Sequence, residues 1–422
     1  MSIHGKKYVI YIIQFLVDYN SGAVMKKIVF LAFACRPDSG SEDAVGWNWI
    51  LQASKFFDVS VVTKEEFKTD IEKYNTNIKF YYVESLEKWH QISIYYEYYR
   101  WQKKAYKFIK ELCENEKFDY LWYITFGNII LPSYVYKIKV PLIWGPVGGT
   151  DKIDENFEKR LSFKEKFPVQ YIRKIILKTL RFNHIYKKLC SKSRVIILRT
   201  EETLNYIPDK DKAKIIYHLE TAVDKNDVLK FVDSKKIHYI KNNSINLIYT
   251  GQLIGRKNIA SLLDAFSYVI KYYPDTILNI VGDGILLESL EKKSKKLIDS
   301  GNVKFWGRCD RAKTLQLVYE SDIYVFPSLI DTMTFSILEA MVLAKPIVCF
   351  DVSGMKYALN DSFAMKTPVY EYSQAIMDYA KNIMYLIDND KERNRMGLNS
   401  KKYVEQNCSW DSIGNFIKDL EI

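Results

Sequence analysis

A short apolar run at residues 245–251 reads INLIYTG, and apolar residues then recur at helical spacing at Ile259, Leu262, Leu263 and Phe266. The run has the length of one buried strand, and its glycine marks the turn that leads into the helix. Apolar runs of four to eight residues that alternate with helical patterns are typical of βαβ units, in which buried strands lie parallel. This stretch therefore predicts an α/β fold.

The same order of elements opens the chain and repeats along it. Residues 28–33 read IVFLAF, and a turn at residues 38–41 leads into a helical pattern through Trp47 and Ile50. Further strands are predicted at residues 59–63, 78–83, 120–124, 142–144, 194–198 and 214–217 in the first half, and at 276–281, 303–306, 323–326 and 346–350 in the second. Helices are predicted in the second half at residues 286–298, 313–319 and 334–343, with two more after residue 350. We expect two doubly wound, Rossmann-like domains that face each other across a cleft at the carboxyl ends of both sheets.

A polar and charged stretch separates the two halves and sets the expected domain boundaries. We predict an N-terminal extension at residues 1–24, a first domain at 25–224, a linker at 225–244 and a second domain at 245–405. The last stretch, residues 406–422, is predicted to form a helix, and a crossing of this helix back to the first domain is left open.

The composition is that of a globular protein with an excess of positive charge. The 422 residues suffice for two to three domains, and 62 basic against 51 acidic residues give a net charge of +11. Six cysteines are scattered without a C-x-x-C pair, which favours free thiols in a reducing, cytoplasmic compartment. Five scattered histidines do not suggest a His-rich metal site. The longest early apolar run, residues 8–17, is far shorter than the roughly 20 residues that a membrane span needs.

Several well-defined nucleotide and catalytic motifs are absent from the sequence. Gly282 and Gly284 form a G-x-G pair, but Leu287 stands where a dinucleotide fingerprint needs its third glycine. The sequence contains no G-x-x-x-x-G-K-[ST] phosphate loop and no G-x-S-x-G nucleophile elbow. These absences argue against a nicotinamide oxidoreductase, a P-loop enzyme and an α/β-hydrolase.

The most informative stretch runs from residue 326 to residue 341. A predicted strand ends at Pro327, a polar loop follows, and a helix begins near Thr334. A helix start offers unpaired N–H groups and a positive dipole end, which suit a phosphate group. Asp331 and Glu339 lie eight residues apart, on the order of 12 Å if all were helical, which suits a diphosphate with a carboxylate at each end for hydroxyl groups. The residues alone equally allow a helix-capping aspartate and a surface glutamate.

This stretch resembles a motif of a known enzyme family. Asp331-x7-Glu339, followed by Ala340 and Met341, is similar to the E-x7-E motif of the family 4 glycosyltransferases, which are retaining, nucleotide-sugar-dependent enzymes of GT-B fold. Other stretches that resemble the family or one of its subfamilies lie at residues 40–42, 46–49, 144–149, 250–258, 281–284 and 303–307. The resemblance extends from about residue 25 to the end. It implies that the first domain faces the acceptor and that the second binds the donor.

The resemblance implies roles for individual residues. Glu339 would accept hydrogen bonds from the donor ribose, Asp331 would contact the transferred sugar, and Lys257 would pair with the diphosphate. These three form the predicted catalytic set. The predicted nucleotide-binding positions are Gly40, Gly251, Gln252, Arg256, Gly282, Gly307, Arg308, Thr334 and Phe335. No metal ion and no other cofactor is expected, because fixed hydrogen-bond donors and one lysine can take up the charge of a leaving diphosphate.

Three positions depart from the family pattern. Asp331 replaces the first glutamate, and Gln252 stands where the family has an arginine, so that Arg256 becomes the candidate replacement for the missing phosphate charge. Trp122 stands where the family usually carries a histidine, and indole offers only an N–H donor. None of the five histidines has a sequence context that replaces it convincingly, and His218, which follows a predicted strand, comes nearest.

The combined features predict a retaining glycosyltransferase of bacterial surface polysaccharide synthesis, such as that of lipopolysaccharide or capsule. It would move a sugar from a UDP- or GDP-sugar to a glycan or lipid-linked glycan acceptor. The departures motivate an alternative from another class: a degenerate GT-B protein that binds a sugar nucleotide or a partner with little turnover.

A basic, amphipathic stretch lies in the first half of the chain. Residues 161–194 contain ten basic residues and one acid, Glu165, with apolar residues such as Ile172, Ile175 and Ile176 between the bases. This pattern is typical of helices that bind an anionic membrane surface, and we expect binding to the inner face of the plasma membrane. The alternative is a core helix whose long basic side chains reach solvent. No nucleic-acid-binding module fits the chain, so nucleic acid is not an expected partner.

Overall fold

The computed structural model describes residues 25–85, 94–160, 169–232 and 244–420 of the chain. The predicted extension at residues 1–24 lies outside this part, as do most of the predicted linker and the start of the basic stretch.

The first half of the chain forms a seven-stranded parallel sheet. Its strands are β1 Lys27–Ala32, β2 Asp58–Lys64, β3 Lys79–Val83, β4 Tyr120–Thr125, β5 Leu142–Val147, β6 Ser193–Leu198 and β7 Ile215–Tyr217. Their spatial order is β3-β2-β1-β4-β5-β6-β7, with Phe30 of β1 opposite Trp122 of β4. The order reverses between β1 and β4, and at such a switch point the loops after the two strands separate and leave a crevice.

The second half forms a six-stranded parallel sheet of the same kind. Its strands are β8 Asn246–Thr250, β9 Ile277–Val281, β10 Val303–Gly307, β11 Ile323–Phe326, β12 Ile347–Phe350 and β13 Ala364–Thr367. They lie in the order β10-β9-β8-β11-β12-β13, which places the switch point between β8 and β11. Two doubly wound α/β domains are therefore confirmed, and the loops after β8 and β11 are the expected place for a ligand.

Helices cover the faces of both sheets. The first eight are α1 Ser41–Ala53, α2 Lys68–Ile71, α3 Ile94–Asn115, α4 Glu155–Glu158, α5 Val169–Thr179, α6 His184–Lys192, α7 Lys225–Leu229 and α8 Ile259–Tyr272. The others are α9 Leu287–Lys293, α10 Lys295–Asp299, α11 Arg311–Glu320, α12 Phe335–Val342, α13 Ser353–Ala358, α14 Tyr372–Asp388, α15 Asp390–Asn407 and α16 Trp410–Asp419. None of the helices in the described ranges combines the length and apolar character needed to cross a bilayer.

Two predictions of secondary structure in the second half were wrong. The single helix expected at residues 286–298 is interrupted at Ser294, whose backbone leaves helical geometry and whose hydroxyl donates to the Leu290 carbonyl at 2.7 Å. After residue 350 the chain forms a strand and four helices rather than two helices. The strand, β13, escaped notice because it is a short edge strand in which Lys366 and Thr367 follow only two apolar residues.

The two cores are not divided along the chain at the predicted linker. Phe157 of α4 is 1 % exposed and packs in the second core, with its ring centroid 5.1 Å from that of Phe350. In the opposite direction, α16 packs on the first domain, where Ile413 and Ile417 join the core around Trp49. The chain therefore crosses between the domains several times, and these crossings hold the two sheets in place around a cleft.

Candidate functional site

A cavity of about 770 Å³ lies between the carboxyl ends of the two sheets. Its first-domain wall includes Glu42, Tyr95, Asn128, Asp151, Arg173 and Arg199. Its second-domain wall includes Gly251, Gln252, Arg256, Lys257, Asp331 and Thr334. The volume falls in the range of small-molecule sites, and the position matches the crevice expected from the topology.

The start of α12 forms part of the second-domain wall. Thr334 is its N-cap residue with extended backbone, and Thr334, Phe335 and Ser336 all line the cavity. The hydroxyl groups of Thr334 and Ser336 lie 3.0 Å apart. Because the first N–H groups of a helix have no intrahelical acceptor, this wall presents backbone donors and the positive end of the helix dipole. Such an arrangement suits a phosphate group.

Asp331 is surrounded by positive charge. Its Oδ2 lies 2.7 Å from Lys257 Nζ and its Oδ1 lies 2.6 Å from Arg256 Nη1, while the Ser328 hydroxyl also donates to Oδ2. Lys257 is almost fully buried, and burial lowers its pKa although the negative charge of Asp331 acts in the opposite direction. The structure thus brings together three residues predicted for the site. Both oxygens of Asp331 are already engaged by cations, so its part in the site includes positioning Lys257 and Arg256.

Glu339 lies further along α12 and is not on the wall of this cavity. Its Oε1 lies 3.1 Å from Nη2 of Arg311, and Nη1 of Arg311 lies 2.6 Å from Asp227. Burial raises the pKa of Glu339, while Arg311 opposes that effect. Sequence reasoning missed Arg311, although a signal was present: it is the first residue of the helix that follows the strand ending at Gly307.

The glycines predicted for the site have different functions in the structure. Gly251 lines the cavity, whereas Gly282 and Gly307 do not. At Gly282, φ is +137° and an added Cβ would lie 1.8 Å from the Gly251 carbonyl oxygen. Glycine is therefore required at this position by the close approach of the ends of β8 and β9, and the fold by itself explains it.

The remaining predicted nucleotide-binding positions fall in two groups. Gln252 lies on the cavity wall, as the prediction requires. Gly40 and Arg308 are exposed and lie off this wall. A Cβ on Gly40, the N-cap residue of α1, would meet nothing within 4 Å. On that side the next residues, Ser41 and Glu42, line the cavity instead.

Neither Trp122 nor His218 takes part in the cavity. Trp122 is fully buried in β4, where its indole N–H donates to the Gly145 carbonyl at 2.8 Å and its ring stacks on Phe30. The His218 ring stacks on Phe416 at a centroid distance of 3.9 Å, and burial lowers its pKa. His218, the histidine that came nearest to replacing the missing one, therefore does not line the cavity. The Trp122 side chain packs in the core. Its indole ring therefore does not reach the cavity.

A charged cluster that sequence reasoning missed lies on the first-domain wall. Nη1 of Arg199 lies 2.5 and 2.7 Å from the two oxygens of Glu220 and 3.5 Å from Oε1 of Glu42, while Nη2 donates to the Gly127 carbonyl at 2.7 Å. Burial raises the pKa of Glu42 to about 7, and Glu220 adds to the rise, which Arg199 opposes. In the sequence, only the positions of these residues pointed to the cluster, because Arg199 follows a predicted strand and Glu42 opens a predicted helix.

Part of the basic stretch contributes to the same wall. Arg173 of α5 lines the cavity and donates from Nε to Gly149 at 3.1 Å and from Nη2 to Asp151 at 3.0 Å, both at backbone carbonyls. Burial lowers the pKa of Arg173. Lys174 forms an ion pair with Glu158. The interpretation of Arg173 as a membrane-facing base was wrong, because the protein itself buries its guanidinium against backbone carbonyls.

The outer side of the basic stretch remains open to solvent. Leu177 and Leu180 are buried, whereas Ile175 is 48 % and Phe182 69 % exposed. The exposed basic residues here are Lys178, Arg181, Lys187, Lys188, Lys192 and Arg194. The stretch therefore packs on one side and presents bases with apolar groups on the other. Its first residues, 161–168, lie outside the described part of the chain.

Within the described ranges, no group of three or more His, Cys, Asp or Glu side chains is arranged to hold a metal ion.

Comparison with known proteins identifies relatives of this chain. Residues 231–403 match the model of the family described as "Glycosyl transferases group 1". An uncharacterized glycosyltransferase of Methanocaldococcus jannaschii is 26% identical over 273 residues, which are 64% of this chain and 65% of that protein. The UDP-Gal:alpha-D-GlcNAc-diphosphoundecaprenol alpha-1,3-galactosyltransferase of Escherichia coli is 26% identical over 210 residues, 48% of this chain and 50% of that protein. The matches thus span between half and two thirds of the length of these relatives.

A solved structure covers almost the whole chain. The crystal structure of Anabaena HepE in complex with UDP superposes with a TM-score of 0.64, over 94% of this chain and 99% of that chain. The sequence identity is 15%, so the likeness establishes the fold and nothing finer. The predicted GT-B architecture is confirmed.

Proposed function

We propose that the protein is a retaining glycosyltransferase, on the premise that its residues 231–403 match the model of the group 1 glycosyl transferases. Its donor is a nucleotide-diphosphate sugar, bound by the second domain, and its acceptor is a glycan or lipid-linked glycan at the first domain.

One observation carries this proposal. Lys257, Arg256 and the N-terminal end of α12 lie on one wall of a cavity of about 770 Å³, with Asp331 between the two cations. Two cations around one carboxylate leave this wall net positive, and the helix adds backbone donors. A diphosphate is the group of a sugar nucleotide that such a wall binds best.

The same groups account for the chemical step. The bond between the sugar C1 and the β-phosphate oxygen breaks, and the acceptor oxygen bonds to C1 from the same face. The acceptor proton passes to the departing phosphate oxygen. The transition state has positive charge on the sugar and growing negative charge on the diphosphate. Lys257 and the N–H groups at the start of α12 stabilise that negative charge, because the lysine is almost fully buried and the helix holds its N–H groups in fixed positions.

The relatives indicate which substrates to test first. Anabaena HepE was crystallised with UDP, and the name of the Escherichia coli relative specifies UDP-Gal and an acceptor linked to diphosphoundecaprenol. UDP-sugars are therefore the first donors to test, with GDP-sugars as the competing class. A lipid-linked acceptor would place the enzyme at the cytoplasmic surface of the membrane, which the exposed basic residues after Thr179 favour.

Nucleotide binding and turnover test this function together. We expect calorimetry to show binding of UDP or GDP, and donor incubation without acceptor to release free nucleotide diphosphate slowly. The release should be lost in Glu339→Ala. Nucleotide binding without hydrolysis or transfer to any acceptor would favour the degenerate binding protein instead. Absence of nucleotide binding would contradict both hypotheses.

A further inference from the structure

The first-domain wall carries a charged cluster whose chemistry differs from that of the donor wall opposite. Glu42, Arg199 and Glu220 together comprise two carboxylates and one guanidinium, and all three residues line the cavity. The cluster lies on the side of the cavity that faces Lys257 and the start of α12.

Arg199 is held in one position by the surrounding structure. It donates to both oxygens of Glu220 and to the Gly127 carbonyl. An added Cβ on Gly148 would lie 2.7 Å from Arg199 Nε, so the chain has glycine where the guanidinium passes closely. Arg199 and Glu220 are therefore a fixed pair, and neither has to move for a ligand to bind.

Glu42, by contrast, has hydrogen-bonding capacity to spare. Its Oε2 is buried and has no hydrogen-bond partner among the described residues, and its Oε1 is 3.5 Å from Arg199 Nη1, at the outer limit of a hydrogen bond. The side chain keeps 26 % of its surface exposed and lines the cavity. A carboxylate oxygen accepts up to about two hydrogen bonds, so Oε1 can accept a further one from a group in the cavity.

The charge of the cluster decides which ligand group it suits. Two carboxylates against one cation repel a phosphate or a carboxylate, so this part of the wall does not compete with Lys257 for the diphosphate. Other charged groups on the same wall are engaged elsewhere: Arg173 donates to backbone carbonyls, and Asp151 accepts from Ser353 at 2.8 Å. Glu42 can accept a hydrogen bond from a ligand. In an uncharged glycan, the group that donates such a bond is a hydroxyl group.

We propose that Glu42, supported by Arg199 and Glu220, binds a hydroxyl group of the acceptor sugar and orients that sugar toward the donor. The inference rests on the function proposed above and adds the acceptor subsite to it. Glu42 contacts the acceptor, whereas Arg199 and Glu220 act as positioning residues.

The test compares Glu42→Gln with Glu65→Gln, a change at an exposed glutamate of the first domain that lies off the cavity wall. UDP affinity, donor hydrolysis in water and thermal unfolding are measured for both variants. Transfer is measured to a mixture of the octyl glycosides of glucose, galactose, mannose and N-acetylglucosamine. In Glu42→Gln we expect kcat/KM for the acceptor to fall about tenfold or more, with UDP affinity and hydrolysis unchanged. Glu65→Gln should match the wild type in all four measurements.

The pH profile separates acceptor binding from a merely structural role. In the wild type, kcat/KM for the acceptor should rise as pH increases through about 7, because Glu42 must be ionised to accept fully. The charged neighbours that set this pKa are Glu220, Arg199 and Asp43. Glu42→Gln should lack the rise, and Glu42→Asp should retain it with lower activity.

The failures are distinguishable. Absence of nucleotide binding in the wild type would remove the proposed function itself, and the inference with it. If Glu42→Gln transferred sugar at the wild-type rate with the wild-type pH profile, the acceptor role of Glu42 would be overturned. The proposed function would still stand. Loss of UDP binding in Glu42→Gln would also overturn the acceptor role, as would hydrolysis without transfer to any of the four glycosides.

Discussion

Lys257 is the single charged side chain on which the donor wall depends most. Replacing it by alanine should lower kcat by about 10²–10³-fold and change KM much less, because the charge that it stabilises grows in the transition state. Arg256 still pairs with Asp331 in the variant, at 2.6 Å, so the loop should keep its position. Steady-state kinetics of donor consumption give both constants.

Lys271→Ala is the matched control for this prediction, because Lys271 is exposed in the last turn of α8, away from the cavity. A Lys257→Ala enzyme that keeps more than half of the wild-type kcat would show that the loop has another role.

Glu339 tests the nucleoside end of the donor. Glu339→Gln keeps the shape and removes the charge, so UDP affinity should fall about tenfold or more if the carboxylate holds the ribose. Binding of pyrophosphate, which has no ribose, should be unaffected. Titration calorimetry measures both ligands.

An exposed glutamate of α9, Glu288, supplies the matched substitution Glu288→Gln. Equal UDP affinity in Glu339→Gln and in this control would refute the ribose assignment. Glu339 would then serve to hold Arg311, which it contacts at 3.1 Å.

Among the secondary-structure elements, the short helix α4 precedes the second domain in the chain but packs in the core of that domain. Phe157 lies between the rings of Phe350 and Tyr372, and Asn156 donates to the Tyr370 carbonyl. We expect Phe157→Ala to cost about 3–5 kcal/mol and to lower the unfolding midpoint by roughly 10 °C, because it leaves a cavity in the second core. Thermal unfolding followed by circular dichroism measures this shift.

Phe182→Ala is the control, since Phe182 is 69 % exposed and its loss should change stability by no more than about 0.5 kcal/mol. Equal midpoints for the two variants would show that α4 does not contribute to the second core in solution.

The whole molecule presents its excess charge unevenly, and this bears on its attachment to a membrane. We expect the protein to float with vesicles that contain anionic lipid and to detach as salt rises. The triple change Lys178→Glu, Arg181→Glu and Lys187→Glu should abolish flotation, because all three side chains are exposed beside Ile175 and Phe182. UDP affinity should not change, because none of the three lines the cavity.

Changing Lys271, Lys292 and Lys296 to glutamate alters the net charge by the same amount on the second domain and should leave flotation intact. Equal flotation with neutral and anionic vesicles would contradict a specific membrane-binding face. Equal loss of flotation in both triple variants would also contradict it.

Local patterns in the sequence sufficed to predict the two sheets. Strand runs and helical periods are local patterns, so their alternation identified twelve of the thirteen described strands to within a few residues. Lys257 and Asp331, 74 residues apart, were assigned to one site by the resemblance of their stretches to a known family. The fold explains why they meet, because loops after neighbouring parallel strands lie at one edge of a sheet.

The charged cluster on the first-domain wall and the boundaries of the cores became visible only in the tertiary structure. Glu42 and Arg199 lie 157 residues apart, and no sequence motif links the two residues. Phe157 precedes the second domain in the chain yet packs inside it, and α16 ends the chain yet packs on the first domain. The physical reason is that burial and charge pairing depend on which surfaces meet in space. A linear pattern shows that a residue needs a partner, but the partner is identified only when the two domains close on each other.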